Sequence, residues 1–262
     1  DYGKIWMKEG RAGKETIFEA LYSSKNGHDW GGPWDGTAES NFIIILMGPR
    51  GGAFAKVENF GLNAGWGANV PTGKIGDLLY ADDGVARRQA SVISEDDFIA
   101  GGGEVDRSVA DFHWANYENY IRLKFSTYAS ETGAPVPEVN YSTPFKIIRY
   151  ADVLLMAAEA YNKDNQDDKA VPLIKQVRER AGATDHSSWE NLTGTDLFNV
   201  IVKERQLELA FEGHRFWDLV RWGLADQEIP GFVKGKHELF PIPLTEINLN
   251  SAIDLSDQNP GY

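Results

Sequence analysis

The run RQLELAFEGHRFWDLVRW at residues 205–222 decides the fold. It predicts a helix whose charged residues are set among leucines and aromatics, broken at Gly213 and ended at Gly223, since glycine readily takes the left-handed stop. FPIP at 240–243 then predicts an extended segment, and QNPGY at 258–262 an aromatic C-terminus. Glu204, Glu208 and Glu212 recur at helical-turn intervals, which places adjacent members about 5–6 Å apart at Cβ. That spacing invites comparison with the carboxylate pair of a retaining glycosidase, roughly 5–5.5 Å apart. The charges nearby argue the other way. Arg205 and Arg215 lie three residues from Glu208 and Glu212, and positive charge lowers a carboxylate pKa, whereas a general acid needs it raised. Two catalytic carboxylates normally flank a cleft, and these share one helix with Leu207, Leu209 and Phe211. The expectation is a structural ion-pair network that Asp218 and Arg221 extend.

Upstream, RYADVLLMAAEAYN at 149–162 begins the clearest local architecture. Leu154, Ala157, Ala158 and Tyr161 have the first-helix spacing of a tetratricopeptide repeat, and Ala170 with Ile174 that of its second helix. Small alanines permit close helix approach while Leu154 and Tyr161 fill the groove. Asn162 to Asp168 predicts a polar turn with its aspartates at the next helix start. Pro172 falls near the first turn, and Gly182 is the expected stop. One such pair cannot bury both faces. Its missing neighbour is either a preceding part of the protein or the helix starting near Thr195. The predicted fold class is mainly α (α+β), with tetratricopeptide-like helix pairs, long irregular loop excursions and a few short strands.

These motifs together resemble the C-terminal half of the SusD/RagB family, outer-membrane glycan-binding lipoproteins. ETIFEALY at 15–22 is similar to the family's E-x-I-F-E segment and is expected as a strand. PTGKIGDLLYA at 71–81 resembles its P-T-x-x-L helix, with Thr72 as the expected cap. The acidic and Arg pair that follows in the family would here be Asp83 with Arg87 or Arg88. The resemblance implies one domain over 1–262, a loop-rich ligand-binding excursion at 15–143 and a helical region at 144–262. It implies that the family's first helical repeats precede this chain. It also implies non-catalytic capture of an oligosaccharide, delivery to a SusC-type TonB-dependent transporter, an extracellular-facing place on the outer membrane, and a lipid anchor outside this chain. No cofactor is implied. His214, in EGHRFWD, is expected to pack.

Composition is consistent with this. The chain has 262 residues, a net charge of −13 and no cysteine. The charge excludes a sequence-independent grip on nucleic-acid phosphates. The absence of cysteine excludes disulfides and thiolate metal sites. The longest apolar run, 42–47, is too short to span a bilayer and predicts a strand or buried loop. The five histidines form no metal motif, and Asp164, Asp167 and Asp168 lack the spacing of a calcium loop. Neither G-x-S-x-G nor a phosphate loop occurs.

The positive signal is aromatic. Residues 26–70 are rich in Gly, Trp and Asn with little helical periodicity, and so long an irregular connection is usually functional. Tryptophan offers rigid apolar area with a polar handle, and Asn or Asp can satisfy sugar hydroxyls. The candidate ligand-binding residues are Trp30, Trp34, Asp35, Asn41, Trp66 and Asn69. Trp66 is also expected to anchor its loop, while Trp217 and Trp222 are expected to pack. Strands and loops are expected at 91–99 and 112–128, joined through flexible glycines at 101–103. A protein-binding helical-repeat scaffold and, behind it, a glycosidase are the competing functional classes.

Overall fold

Thr16, Ile17 and Phe18 favour extended backbone, and β1 (Thr16–Ala20) is the first strand. The computed structural model describes residues 2–27, 29–30, 38–134 and 136–262. The chain divides into two compact units, Asp1–Glu212 and Gly213–Tyr262. Their boundary falls at the expected break, where Gly213 has a φ of 86°. The fold is mainly helical with a few two-stranded sheets, as its sequence leads one to expect.

In the first unit, the described part of 26–70 holds little regular structure: α1 (Ile44–Met47), β2 (Phe54–Ala55) and a 3-10 turn at Val57–Phe60. The apolar run 42–47 thus forms a short helix, not a strand, burying Ile44 and Ile45 against Trp6 and Tyr141. After it come α2 (Gly73–Ala81), α3 (Val85–Ser91), β3 (Val92–Ser94) and α4 (Glu95–Ala100). Thr72 precedes α2 in extended backbone but makes no side-chain cap. The 91–99 stretch is half helix because Ser94 Oγ accepts the Asp97 N–H at 3.1 Å, with three acidic residues in the first turn favouring the helix dipole. The glycines at 101–103 end α4 through ordered bonds: Gly101 N–H reaches Asp97 O and Gly103 N–H reaches Phe98 O, each at 2.9 Å.

β4 (Glu104–Val105) pairs antiparallel with β2, and β5 (Tyr120–Arg122) with β3. Phe54, Phe98, Phe112 and Tyr117 pack edge-on and tilted around that first pair. β6 (Phe145–Arg149) pairs antiparallel with β1, setting Phe18 opposite Ile148 and Glu19 opposite Lys146.

The predicted helix pair is α5 (Tyr150–Lys163) and α6 (Asp167–Arg180). Its second layer is α7 (Gly194–Glu208), the helix anticipated near Thr195. Ala158, Ala170 and Ile174 close a core with Trp189, Leu197 and Ile201. Full burial of each Leu or Ile contributes about 1.5–3 kcal/mol. Asp167 ties the three helices, accepting from Asn162 Nδ2 and from Gly194 N–H, each at 2.7 Å. Gly182 stops α6 as expected: at φ 90° its N–H reaches Glu179 O, and Ala183 N–H reaches Arg178 O, both at 3.0 Å.

The second unit contains α8 (Arg215–Trp222), α9 (Ala225–Glu228) and α10 (Leu244–Leu249). Gly223 ends α8 in the left-handed region, with Leu224 N–H bonded to Leu219 O at 2.8 Å.

Candidate functional site

Main-chain bonding sets the position of Trp66. Its N–H reaches Ile45 O at 2.8 Å, while Gly65 N–H and Gly67 N–H reach Pro49 O and Gly48 O at 2.6 and 2.9 Å. Gly65 fits because a Cβ there would lie 2.7 Å from both Gly48 Cα and Ile45 O. The backbone of 65–68 is therefore stitched to 45–51, and the indole stands at its surface. Trp30 comes from another turn, held where Ser23 N–H reaches Glu39 O and Glu39 N–H reaches Asn26 O, each at 2.8 Å.

The two indoles meet. Their ring centroids lie 6.3 Å apart with an interplanar angle of 17°, an offset stack. Phe42 backs Trp66 edge-on at 5.8 Å. Despite this packing, Trp30 is 53% and Trp66 42% exposed. Leaving such area in water is unfavourable, and the pair keeps much of its apolar ring area exposed. Trp66 thus combines the expected anchoring of its loop with an exposed ring.

The other candidates fall differently. Asn69 is exposed. Asn41 is buried, its backbone N–H on Tyr141 O at 2.8 Å and its amide Nδ2 on Thr143 O at 3.0 Å, so it clips two segments together. Trp34 and Asp35 lie outside the described residues. Phe42, absent from the sequence-derived set, supports the pair. Trp217, expected to pack, is 55% exposed in the second unit, with Phe216 edge-on at 5.1 Å.

The glutamates of α7 and its C-terminal turn lie inside the first unit, and their partners are remote in sequence. Glu208 accepts from Arg149 Nη1 at 2.7 Å, Tyr2 Oη at 3.0 Å, Arg87 Nη1 at 3.1 Å, and Arg180 Nη2. Glu204 accepts from Arg87 at 2.5 Å and Arg178 at 2.9 Å. Glu212 is gripped by Arg149 and Lys124. Arg205 pairs with Asp152 at 2.9 Å. The anticipated acidic and Arg pair is Arg87 with Asp82, at 2.7 Å, whereas Asp83 binds Arg178. Burial alone would raise the Glu208 pKa, but Arg149, Arg180 and Arg87 outweigh it and hold the carboxyl at about 2. Glu212 is likewise lowered, against its burial, by Arg149 and Lys124. Both stay ionised and bonded, the opposite of what a general acid requires. Among the described residues no group of three or more His, Asp or Glu could hold a metal ion, and no helix is long and apolar enough to cross a membrane.

Comparison with known proteins agrees with this architecture. Residues 108–238 match the SusD family. SusD-like protein P2 of Formosa agariphila is 30% identical over 244 residues, which cover 85% of this chain and 45% of that protein. The solved structure of a laminarin binding SusD-like protein superposes with a TM-score of 0.80 at 30% identity, over 100% of this chain and 53% of that one. Surface glycan-binding protein A from Bacteroides fluxus gives 0.75 at 25% identity, over 100% and 54%. The chain therefore spans about half the length of these relatives.

Proposed function

Because the chain belongs to the SusD family, we propose that it binds an oligosaccharide at the Trp30–Trp66 pair without cleaving it. The stacked, half-exposed indoles carry this reading. Flat C–H faces of a pyranose dock on indole rings, and water released from both surfaces drives the contact. Asn69, together with Trp34 and Asp35, completes the proposed contact set, with side-chain amide and carboxylate groups for the sugar hydroxyls. Asn41 is left out of this set, since it is buried and bonded to the 141–143 segment. The likeness to a laminarin binding relative favours a laminarin-type β-glucan as ligand. In the whole protein this capture takes place at the outer membrane, facing outward, and feeds a SusC-type TonB-dependent transporter. Calorimetric titration of laminarin oligosaccharides into the chain, beside an assay for new reducing ends, tests the reading. Saturable binding with no hydrolysis supports it, and hydrolysis would return the glycosidase.

A further inference from the structure

Arg122 is a buried cation without a carboxylate. It is 4% exposed, and among the described residues it forms no salt bridge. Its Nε donates to Lys124 O at 2.7 Å, its Nη2 to Phe211 O at 3.1 Å, and its Nη1 to the thioether Sδ of Met47 at 3.1 Å. Buried charges are normally paired, and a thioether sulfur is a weak acceptor. Burial pulls the guanidinium pKa down to about 10, and Glu212 offsets only part of that pull.

Met47 is half-buried and ends α1. Met47, Arg122 and Asn69 line a small cavity of about 10 Å³, on the scale of one water-sized molecule. The residues beside Met47 carry the Trp66 loop: Leu46 O and Gly48 O accept from the Ala68 and Gly67 N–H groups, each at 2.9 Å. Oxidation of the sulfur would turn the weakest of the three Arg122 acceptors into a strong one. We propose that Met47 is a redox modification site, whose sulfoxide oxygen accepts from the Arg122 guanidinium and fastens α1 together with the Trp66 loop it carries. The oxidant is a peroxide. The sulfur lone pair takes one oxygen from hydrogen peroxide, the O–O bond breaks and water leaves. Sulfur gives up two electrons and the peroxide gains them. A methionine sulfoxide in an apolar core disrupts packing, whereas this one meets a buried donor.

The test uses the 262-residue chain carrying Met7→Leu and Met156→Leu, which leaves Met47 as its one methionine. Mild hydrogen peroxide should add one oxygen to Met47 in the folded chain, read by peptide mass spectrometry. The melting temperature should then rise by about 2–4 °C. With Arg122→Leu added, the same oxidation should lower it. Should that variant fail to fold, a second comparison leaves Arg122 untouched: Met47→Gln, whose amide oxygen stands in for the sulfoxide, should melt above Met47→Leu. A Met47 that resists peroxide until the chain unfolds, a melting temperature that falls on oxidation, an equal rise in Arg122→Leu, or Met47→Gln melting below Met47→Leu overturns the proposal. No glycan enters these measurements, so they leave the Trp30–Trp66 reading untouched.

Discussion

Arg149 and Glu212 form a two-pronged pair inside the first unit, Nε to Oε2 at 2.5 Å and Nη2 to Oε1 at 2.7 Å. Arg149 is almost wholly buried and spends its Nη1 on Glu208 as well, at 2.7 Å. The geometry is the planar fork that favours Arg over Lys. Its removal leaves two buried carboxylates short of charge. Arg149→Ala is therefore expected to lower stability by about 3–5 kcal/mol, read from urea denaturation. Arg149→Lys should recover only part of the loss, since an ammonium cannot make both parallel bonds.

The same cluster sets an acid limit. Glu208 titrates near 2 in the folded chain, against about 4.3 in an unfolded one. A lowered carboxylate pKa gives stability that is complete above the unfolded value and lost as pH falls through the folded one. As pH falls from about 6 to about 1 the chain should lose about 3 kcal/mol through this group. Denaturation midpoints across that range check it, and Glu208→Gln should flatten the dependence. An equally steep loss in that variant would assign the effect to other carboxylates.

Gly65→Ala should disturb both fold and platform. Its Cβ would press on Gly48 and Ile45 backbone atoms at 2.7 Å, where no flexible side chain can yield. Overpacking of this kind costs about 1–3 kcal/mol, and the displaced neighbour is Trp66. A lowered melting temperature together with weaker oligosaccharide binding is expected.

The antiparallel ribbon of β1 and β6 exposes Ile17, Phe18, Phe145, Ile147 and Ile148. So many large apolar side chains on one short ribbon exceed the scattered exposure normal for a surface. The 262-residue chain should bind an apolar dye and self-associate at high concentration. Phe18→Ser with Ile148→Ser, a cross-strand pair, should reduce both without altering the helical circular dichroism. An unchanged sedimentation profile would show that the ribbon does not drive association.

Locally encoded features were legible. Alanines and leucines of α5 and α6, the stops at Gly182 and Gly223, and the break at Gly213 each depend on neighbours within a turn or two. The expectation of strands and loops over 91–99 holds for Val92–Ser94 but misses the Ser94-Glu-Asp-Asp capping signal that starts α4. Long-range pairing was not legible. Glu208 takes partners 59, 121 and 206 residues away in Arg149, Arg87 and Tyr2, so arginines three residues along the helix were the wrong partners to expect. Tryptophan in a glycine-rich excursion pointed to Trp30 and Trp66, but their stacking depends on how two turns close. Composition could not separate Asn41, a buried clip, from Asn69 at the surface.

Trp217 shows the same limit in the second unit. Its place among aromatics suggested packing, yet it is 55% exposed. Trp217→Ala should cost clearly less than the roughly 3–5 kcal/mol of a fully buried aromatic, as measured by thermal denaturation. A loss of that full size would mean the ring is covered in solution.

The central claim rests on the indole pair, and titration of a laminarin oligosaccharide into Trp30→Ala and Trp66→Ala tests it most directly. Truncating a hot-spot aromatic typically costs roughly 2 kcal/mol or more, and about 1.4 kcal/mol is tenfold. Each variant should therefore bind more than tenfold more weakly. Trp30→Ala should keep the melting temperature of the parent chain, and Trp66→Ala should lose a little through its contact with Phe42. Parent-like affinity in both variants, with the fold intact, would contradict the account and move the glycan site away from this pair.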